Sequence, residues 1–95
     1  MAVYLIASID VTDPDAYERY RAQVPATIAQ YGGRFLVRGG AVEALEGDVI
    51  PTRVVVLEFP SAERARAWWD SSEYAPLKTL RKRASRGNLY FVAGV

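Results

Sequence analysis

Charged and hydroxyl side chains set in apolar surroundings are where a small protein can do chemistry, because a buried charge is costly unless a partner or a ligand satisfies it. Four such residues interrupt apolar stretches of this chain: Ser8, Asp10, Arg38 and Glu58. Arg38 carries a planar guanidinium that can fork onto a carboxylate or an enolate. Counting back along a hairpin that turns near Asp48 brings Arg38 opposite Glu58. The two then form either an ion pair that fixes the hairpin register or the polar centre of a pocket. Asp10 and Glu58 fall at the C-terminal ends of two strands expected to lie side by side and parallel. Two close carboxylates can have their pKa values pushed apart, which permits acid–base work without histidine. The competing role for Asp10 is to hold the turn into a helix. Farther along, Trp68, Trp69, Ser72 and Tyr74 combine an aromatic wall with hydroxyls, and Arg81 follows, turned inward or along the pocket rim. An aromatic pocket with a few polar points suits a small planar ligand. The same residues also serve as plain core, with Ser71 or Ser72 as a helix cap.

The elements that must position these residues are legible from periodicity. Residues 3–11 alternate Val3, Leu5, Ala7, Ile9 and Val11 with Tyr4, Ile6, Ser8 and Asp10, the pattern of a strand. Asp13 and Pro14 then start a helix that runs to about Tyr31, with Tyr17, Tyr20, Val24, Ile28 and Tyr31 on one face. Pro25 is expected to kink or open it, since proline removes one hydrogen bond and crowds the carbonyl four residues back. Residues 34–38 read as a second strand that continues through a bulge at Gly39 and Gly40 into Val42, Ala44 and Leu45. A turn at 46–51 leads into a third strand over 53–59, so that the two make a long hairpin. Ser61 caps a second helix, and Ser71-Ser72 restarts helix through about Ala84. A turn at 86–88 precedes a last strand over 89–95.

This order predicts an α+β fold: a ferredoxin-like β-α-β-β-α-β sandwich with an antiparallel sheet, strands 1 and 3 central and helices on one face. The other face should be polar if it meets water, yet Tyr4, Ile6, Val54 and Val56 make it apolar. Two copies packed sheet to sheet would cover it as a symmetric homodimer with a barrel-like interior.

Composition narrows the chemistry. With 95 residues the chain is expected to form one domain over 1–95, and with no cysteine or histidine it lacks thiolate nucleophiles, disulfides and the commonest metal ligands. No bound cofactor or metal is expected. Gly32-Gly33 and Gly39-Gly40 fit neither phosphate-loop spacing. The first 77 residues hold seven Lys/Arg and eleven Asp/Glu, whereas Lys78, Arg81, Lys82, Arg83 and Arg86 follow with no further acid. With a pI near 8.0 this reads as a solvated helix face rather than a nucleic-acid site. No apolar run is long enough for a membrane span and no basic leader precedes the first strand, so a cytoplasmic protein without a membrane partner is expected.

The segments Asp13-Pro-Asp-Ala-Tyr17, Gly32-Gly-Arg-Phe-Leu-Val-Arg-Gly-Gly40, Glu58-Phe-Pro-Ser61 and Ala67-Trp-Trp-Asp-Ser-Ser-Glu-Tyr74, with Tyr20 and Arg81, resemble the bacterial domain-of-unknown-function family 1330. That family lies in the dimeric α+β barrel superfamily, so the resemblance implies the fold and the dimer. The superfamily includes cofactor-free monooxygenases, haem-binding enzymes, lactone isomerases and regulatory ligand-binding domains. Two functions stay open on this basis. One is a homodimeric barrel that binds a small aromatic or anionic molecule, with cofactor-independent acid–base or oxygenase-like chemistry, using Asp10, Arg38, Glu58, Trp69, Ser72, Tyr74 and Arg81. The other is a non-enzymatic sensor or interaction module in which the same residues are structural.

Overall fold

The computed structural model describes residues 1–95. Strand β1 (Val3–Val11) leads into helix α1 (Pro14–Gln30), then strands β2 (Arg34–Arg38) and β3 (Arg53–Phe59), helices α2 (Ala62–Trp69) and α3 (Ala75–Ala84), and strand β4 (Ser85–Ala93). The sheet order is β2-β3-β1-β4 with every neighbouring pair antiparallel. This is the predicted ferredoxin-like α+β architecture, with its second helix broken in two. No helix is long and apolar enough to cross a membrane.

Alternation along β1 buries Val3, Leu5, Ala7 and Ile9 under the helices and turns Tyr4, Ile6 and Ser8 to the other face. Asp13 begins α1: its side chain accepts from the Ala16 N–H at 3.1 Å, and Pro14 loses nothing in the first turn. Tyr17, Tyr20, Val24 and Ile28 are buried against the sheet, and Gly32 ends the helix with a positive φ of 79°. Helix α1 runs through Pro25 without a break. Proline removes the N–H that would bond the Arg21 carbonyl, and that carbonyl instead accepts from the Arg38 guanidinium at 2.6 Å.

The largest fully buried side chains are Trp68, Tyr74, Phe59 and Ile28. Trp68 stacks on Tyr74 at a centroid distance of 4.0 Å and on Phe59 at 5.4 Å. Its indole N–H donates to Thr27 Oγ1, and that hydroxyl donates to the Val24 carbonyl, so the core's polar atoms are paired. Replacing Trp68 with alanine would cost about 3–5 kcal/mol, the usual penalty for truncating a buried aromatic.

Three details differ from the sequence expectation. The bulge lies between Phe35 and Val37 rather than at Gly39-Gly40, and residues 39–52 form an irregular connection instead of extending the hairpin. Strand β4 begins directly at Ser85 with no turn at 86–88: Gly87 continues the ladder opposite Ile9, so close to the Ser8 backbone that a Cβ would collide with it. Strands β1 and β3 are antiparallel, pairing Glu58 with Tyr4, so Asp10 and Glu58 lie at opposite ends of the sheet and cannot share a proton.

Candidate functional site

A cleft lies between α1 and α3 on one side and the helix-facing side of the sheet on the other. Its floor is Leu5, Ala7, Ile9, Val55 and Leu57, with Ala7 leaving a low centre between the larger side chains of β3 and β4. Its walls bring in Tyr17, Tyr20 and Val24 from α1, and Trp68 and Tyr74 from the α2–α3 segment. The cleft is partly open at its mouth and has a cavity of about 30 Å³, room for roughly two waters. A larger guest requires side chains at its mouth to swing aside.

Every ionised side chain on this lining is an arginine: Arg21, Arg38, Arg53 and Arg81. Arg81 is the deepest, 7% exposed, and its Nε donates to the Tyr74 hydroxyl at 3.4 Å. Tyr74 in turn shares a hydrogen bond with the Tyr20 hydroxyl at 3.0 Å. Burial, reinforced by the neighbouring Tyr74, pushes the Tyr20 phenol far above its ordinary value, so it stays protonated. No carboxylate pairs with Arg81; the ion pairs of the protein are Arg21–Glu18, Arg34–Glu58 and Arg66–Asp70. The chain therefore carries a buried guanidinium whose side-chain hydrogen bond goes to a phenol and which lies 6.0 Å from the Trp69 ring, with no carboxylate beside it.

Two further arginines guard the mouth. Arg53 Nε donates to the Tyr17 hydroxyl at 3.0 Å, and its guanidinium lies over the Tyr17 ring. It also packs against Gly39, where φ is +71° and any Cβ would fall inside the guanidinium. Glycine at 39 thus serves both a left-handed turn and a close approach. Arg38 sits over the Phe35 ring at 4.5 Å while it bonds the Arg21 carbonyl.

Of the residues singled out from the sequence, the structure gathers Arg38, Tyr74 and Arg81 on one lining and places Asp10, Glu58 and Ser72 elsewhere. The Arg38–Glu58 pair does not form. Glu58 lies opposite Arg34 and accepts from its Nε at 2.7 Å on the helix-free face, whereas Arg38 lies opposite Val55 on the helix-facing side. The reason is parity: the bulge inserts one residue between Phe35 and Val37, so Arg34 and Arg38, which an unbroken strand would put on one face, fall on opposite faces. Asp10 is exposed across from Arg86. Ser72 is exposed and donates to Glu73, while Ser71 does the capping, accepting from the Tyr74 N–H at 3.1 Å. Trp69 is half-buried beside Tyr74 at 5.8 Å, just beyond the cleft. Tyr17, Tyr20 and Arg53 were missed as site residues. Tyr17 and Tyr20 look like plain helix stripe, and Arg53 like the first residue of a strand. Three or more carboxylates converge nowhere in the chain.

The whole chain can be compared with known proteins. The model of the family DUF1330, a domain of unknown function, matches residues 2–95. No curated protein sequence matches. Among solved structures, a protein of unknown function from Rhodopseudomonas palustris superposes with a TM-score of 0.75 at 18% identity, covering 99% of this chain and 82% of that one. Its methylated form gives 0.77 at 18% identity, covering 99% and 81%. SnoaB, a cofactor-independent oxygenase from Streptomyces nogalater, superposes with a TM-score of 0.68 at 15% identity, covering 99% of this chain and 93% of that one. At such identities these likenesses concern the fold.

Proposed function

We propose that this chain, which belongs to the DUF1330 family of domains of unknown function, is a single-domain binding protein that works as a homodimer and holds one small aromatic anion in the cleft of each protomer. The observation that carries this reading is the one-signed lining: Arg38, Arg53 and the buried Arg81 face an aromatic cleft without a carboxylate among them. A buried guanidinium that the protein leaves without a counter-charge, as it does Arg81, is costly unless a ligand supplies one. The apolar floor and the rings of Tyr17, Tyr20 and Tyr74 supply the contact area that a planar ring system needs. The anionic end of the ligand pairs with the arginines and accepts hydrogen bonds from neutral phenols.

The walls support binding rather than proton transfer. Neither a carboxylate nor a histidine is available on the lining, and Tyr20 is held protonated. Oxygenase chemistry of the kind named for SnoaB would come to this site only with a ligand that ionises before it enters, whose charge the arginines then hold.

Calorimetric titration with 2-naphthoate and its neutral counterpart 2-naphthalenemethanol tests the reading. The acid is expected to bind at least ten times more tightly, since a charge-assisted hydrogen bond contributes about 1.5–3 kcal/mol and ~1.4 kcal/mol is a factor of ten. The double substitution Arg38→Met with Arg53→Met should erase much of that preference without disturbing the buried core. Equal affinity for acid and alcohol, or no binding of either at millimolar concentration, would overturn the proposal.

A further inference from the structure

A second concavity opens on the other side of the sheet's centre, at the free edge of β4, lined by Leu5, Arg66, Trp69, Leu89, Tyr90 and Phe91. About 250 Å³ of it admits the centre of a water molecule, against about 30 Å³ in the cleft. The room for a ring therefore already exists in the groove, while the cleft must open to accept one. Leu5 and Leu89 line both spaces, so the two share part of their floor. The roof is continuous as well: Tyr74 covers the cleft, Trp69 covers the groove, and their rings lie 5.8 Å apart.

We propose that cleft and groove are two ends of one channel and that Leu89 is the residue that sets ligand length. Leu5 is buried between Leu57 and Phe91 in the middle of the sheet and is fixed by its neighbours. Leu89 is half-buried on the edge strand, opposite the small Ala7, and so stands beside open space on both sides. The ligand that uses the channel is an aryl carboxylate with a second ring in line: its acid pairs with the arginines of the cleft, its first ring lies over Ala7, and its second ring passes Leu89. That outer ring lies along the groove against Trp69 and Phe91, whose own rings meet edge to face at 6.4 Å. The assignment of the acid end rests on the anion reading given above. The channel itself rests on the shared floor and roof.

Four variants at one position and three ligands separate these claims. Benzoate, biphenyl-4-carboxylate and uncharged biphenyl are titrated while tryptophan fluorescence is followed, with folding checked by circular dichroism. Leu89→Ala should raise the ratio of biphenyl-4-carboxylate to benzoate affinity at least tenfold, and Leu89→Trp should lower that ratio at least tenfold. Should alanine or tryptophan prevent folding, Leu89→Val and Leu89→Phe carry the same comparison with smaller volume changes. If neither acid binds any variant but biphenyl binds the alanine variant more tightly than the tryptophan variant, the anion reading fails and the channel stands. If the ratio of biphenyl-4-carboxylate to benzoate affinity is the same across the folded variants, and biphenyl discriminates none of them, the channel is overturned.

Discussion

Proline in the interior of a helix costs about 3 kcal/mol relative to alanine, and Pro25 sits four residues beyond the carbonyl that Arg38 reaches. The two facts are coupled. The ring deprives the Arg21 carbonyl of its helical donor, the vacancy draws in a guanidinium, and that guanidinium is thereby held at the mouth of the cleft over Phe35. A helix defect is thus converted into the position of a cation. The substitution Pro25→Ala restores an N–H that competes for the carbonyl. It should raise the melting temperature, because the helix regains its bond and a good helix former, and it should weaken 2-naphthoate binding several-fold, because Arg38 loses its anchor. A higher melting temperature with unchanged affinity would mean that the carbonyl serves both donors at once and that proline does not position Arg38. Arg53 depends on its surroundings in a similar way, through the Cβ-free approach at Gly39.

Among the elements, the junction of α2 and α3 holds the roof of the cleft and is tied down from outside by α1. Tyr31, at the end of α1, donates to Glu73 Oε1 at 2.7 Å, and Ser72 donates to Oε2 of the same carboxylate. The bond to Tyr31, then the one to Ser72, holds Glu73 below the usual carboxylate range, and the bond to Glu73 raises Tyr31 above that of a free phenol. The sign follows for each group. A carboxylate whose folded pKa is depressed contributes stability above its unfolded value, about 4.5, and loses it as pH falls through the folded one. A phenol whose folded pKa is raised contributes below its unfolded value of 10.0 and loses it as pH rises. The clasp is therefore intact between those limits and weakens outside them. Thermal melts of wild type and Tyr31→Phe from pH 3 to pH 11 should differ most in the middle of that range and converge at the acid end; a difference that does not depend on pH would mean that packing, not the hydrogen bond, is lost. Much at this scale was legible in the sequence: the strand alternation from Val3, the Asp13-Pro14 helix start and the Ser61 cap follow from local chemistry that the fold leaves undisturbed. The site was less so. A single inserted residue at Leu36 reverses the face of everything after it, and since neither Phe35 nor Val37 carries a bulge signal, Arg38 and Glu58 were placed together when the structure sets them on opposite faces. The antiparallel β1–β3 pairing that separates Asp10 from Glu58 follows from topology, and applying it strictly would have removed the acid–base pair at once.

At the scale of the molecule, the helix-free face of the sheet carries a rung that crosses all four strands without a polar side chain: Val37 on β2, Val56 on β3, Ile6 on β1 and Tyr90 on β4. Tyr90 is 51% exposed, and Leu36 and Val92 beside the rung are exposed as well. The rungs on either side are mixed, with the Arg34–Glu58 pair on one and Ser8 and Asn88 on the other. An apolar band with polar flanks is the anatomy of an interface core and rim, and the homodimer proposed above would use it, since a two-fold axis sets the same patch of each copy against the other. Sedimentation equilibrium at micromolar concentration is expected to give twice the 10.5 kDa mass of the chain. Val56→Glu places a charge at the centre of the band, an error of several kcal/mol in the assembled state that should yield monomer or unfolded chain. Tyr90→Glu is the sharper variant, since this side chain is half exposed in the protomer and its replacement leaves the core intact. It should therefore give a folded monomer whose melting temperature, unlike that of the wild type, does not rise with protein concentration. Wild-type protein that sediments at the mass of one chain up to tens of micromolar, with a melting temperature independent of concentration, would rule out the sheet-to-sheet dimer and leave this band to meet water or another partner.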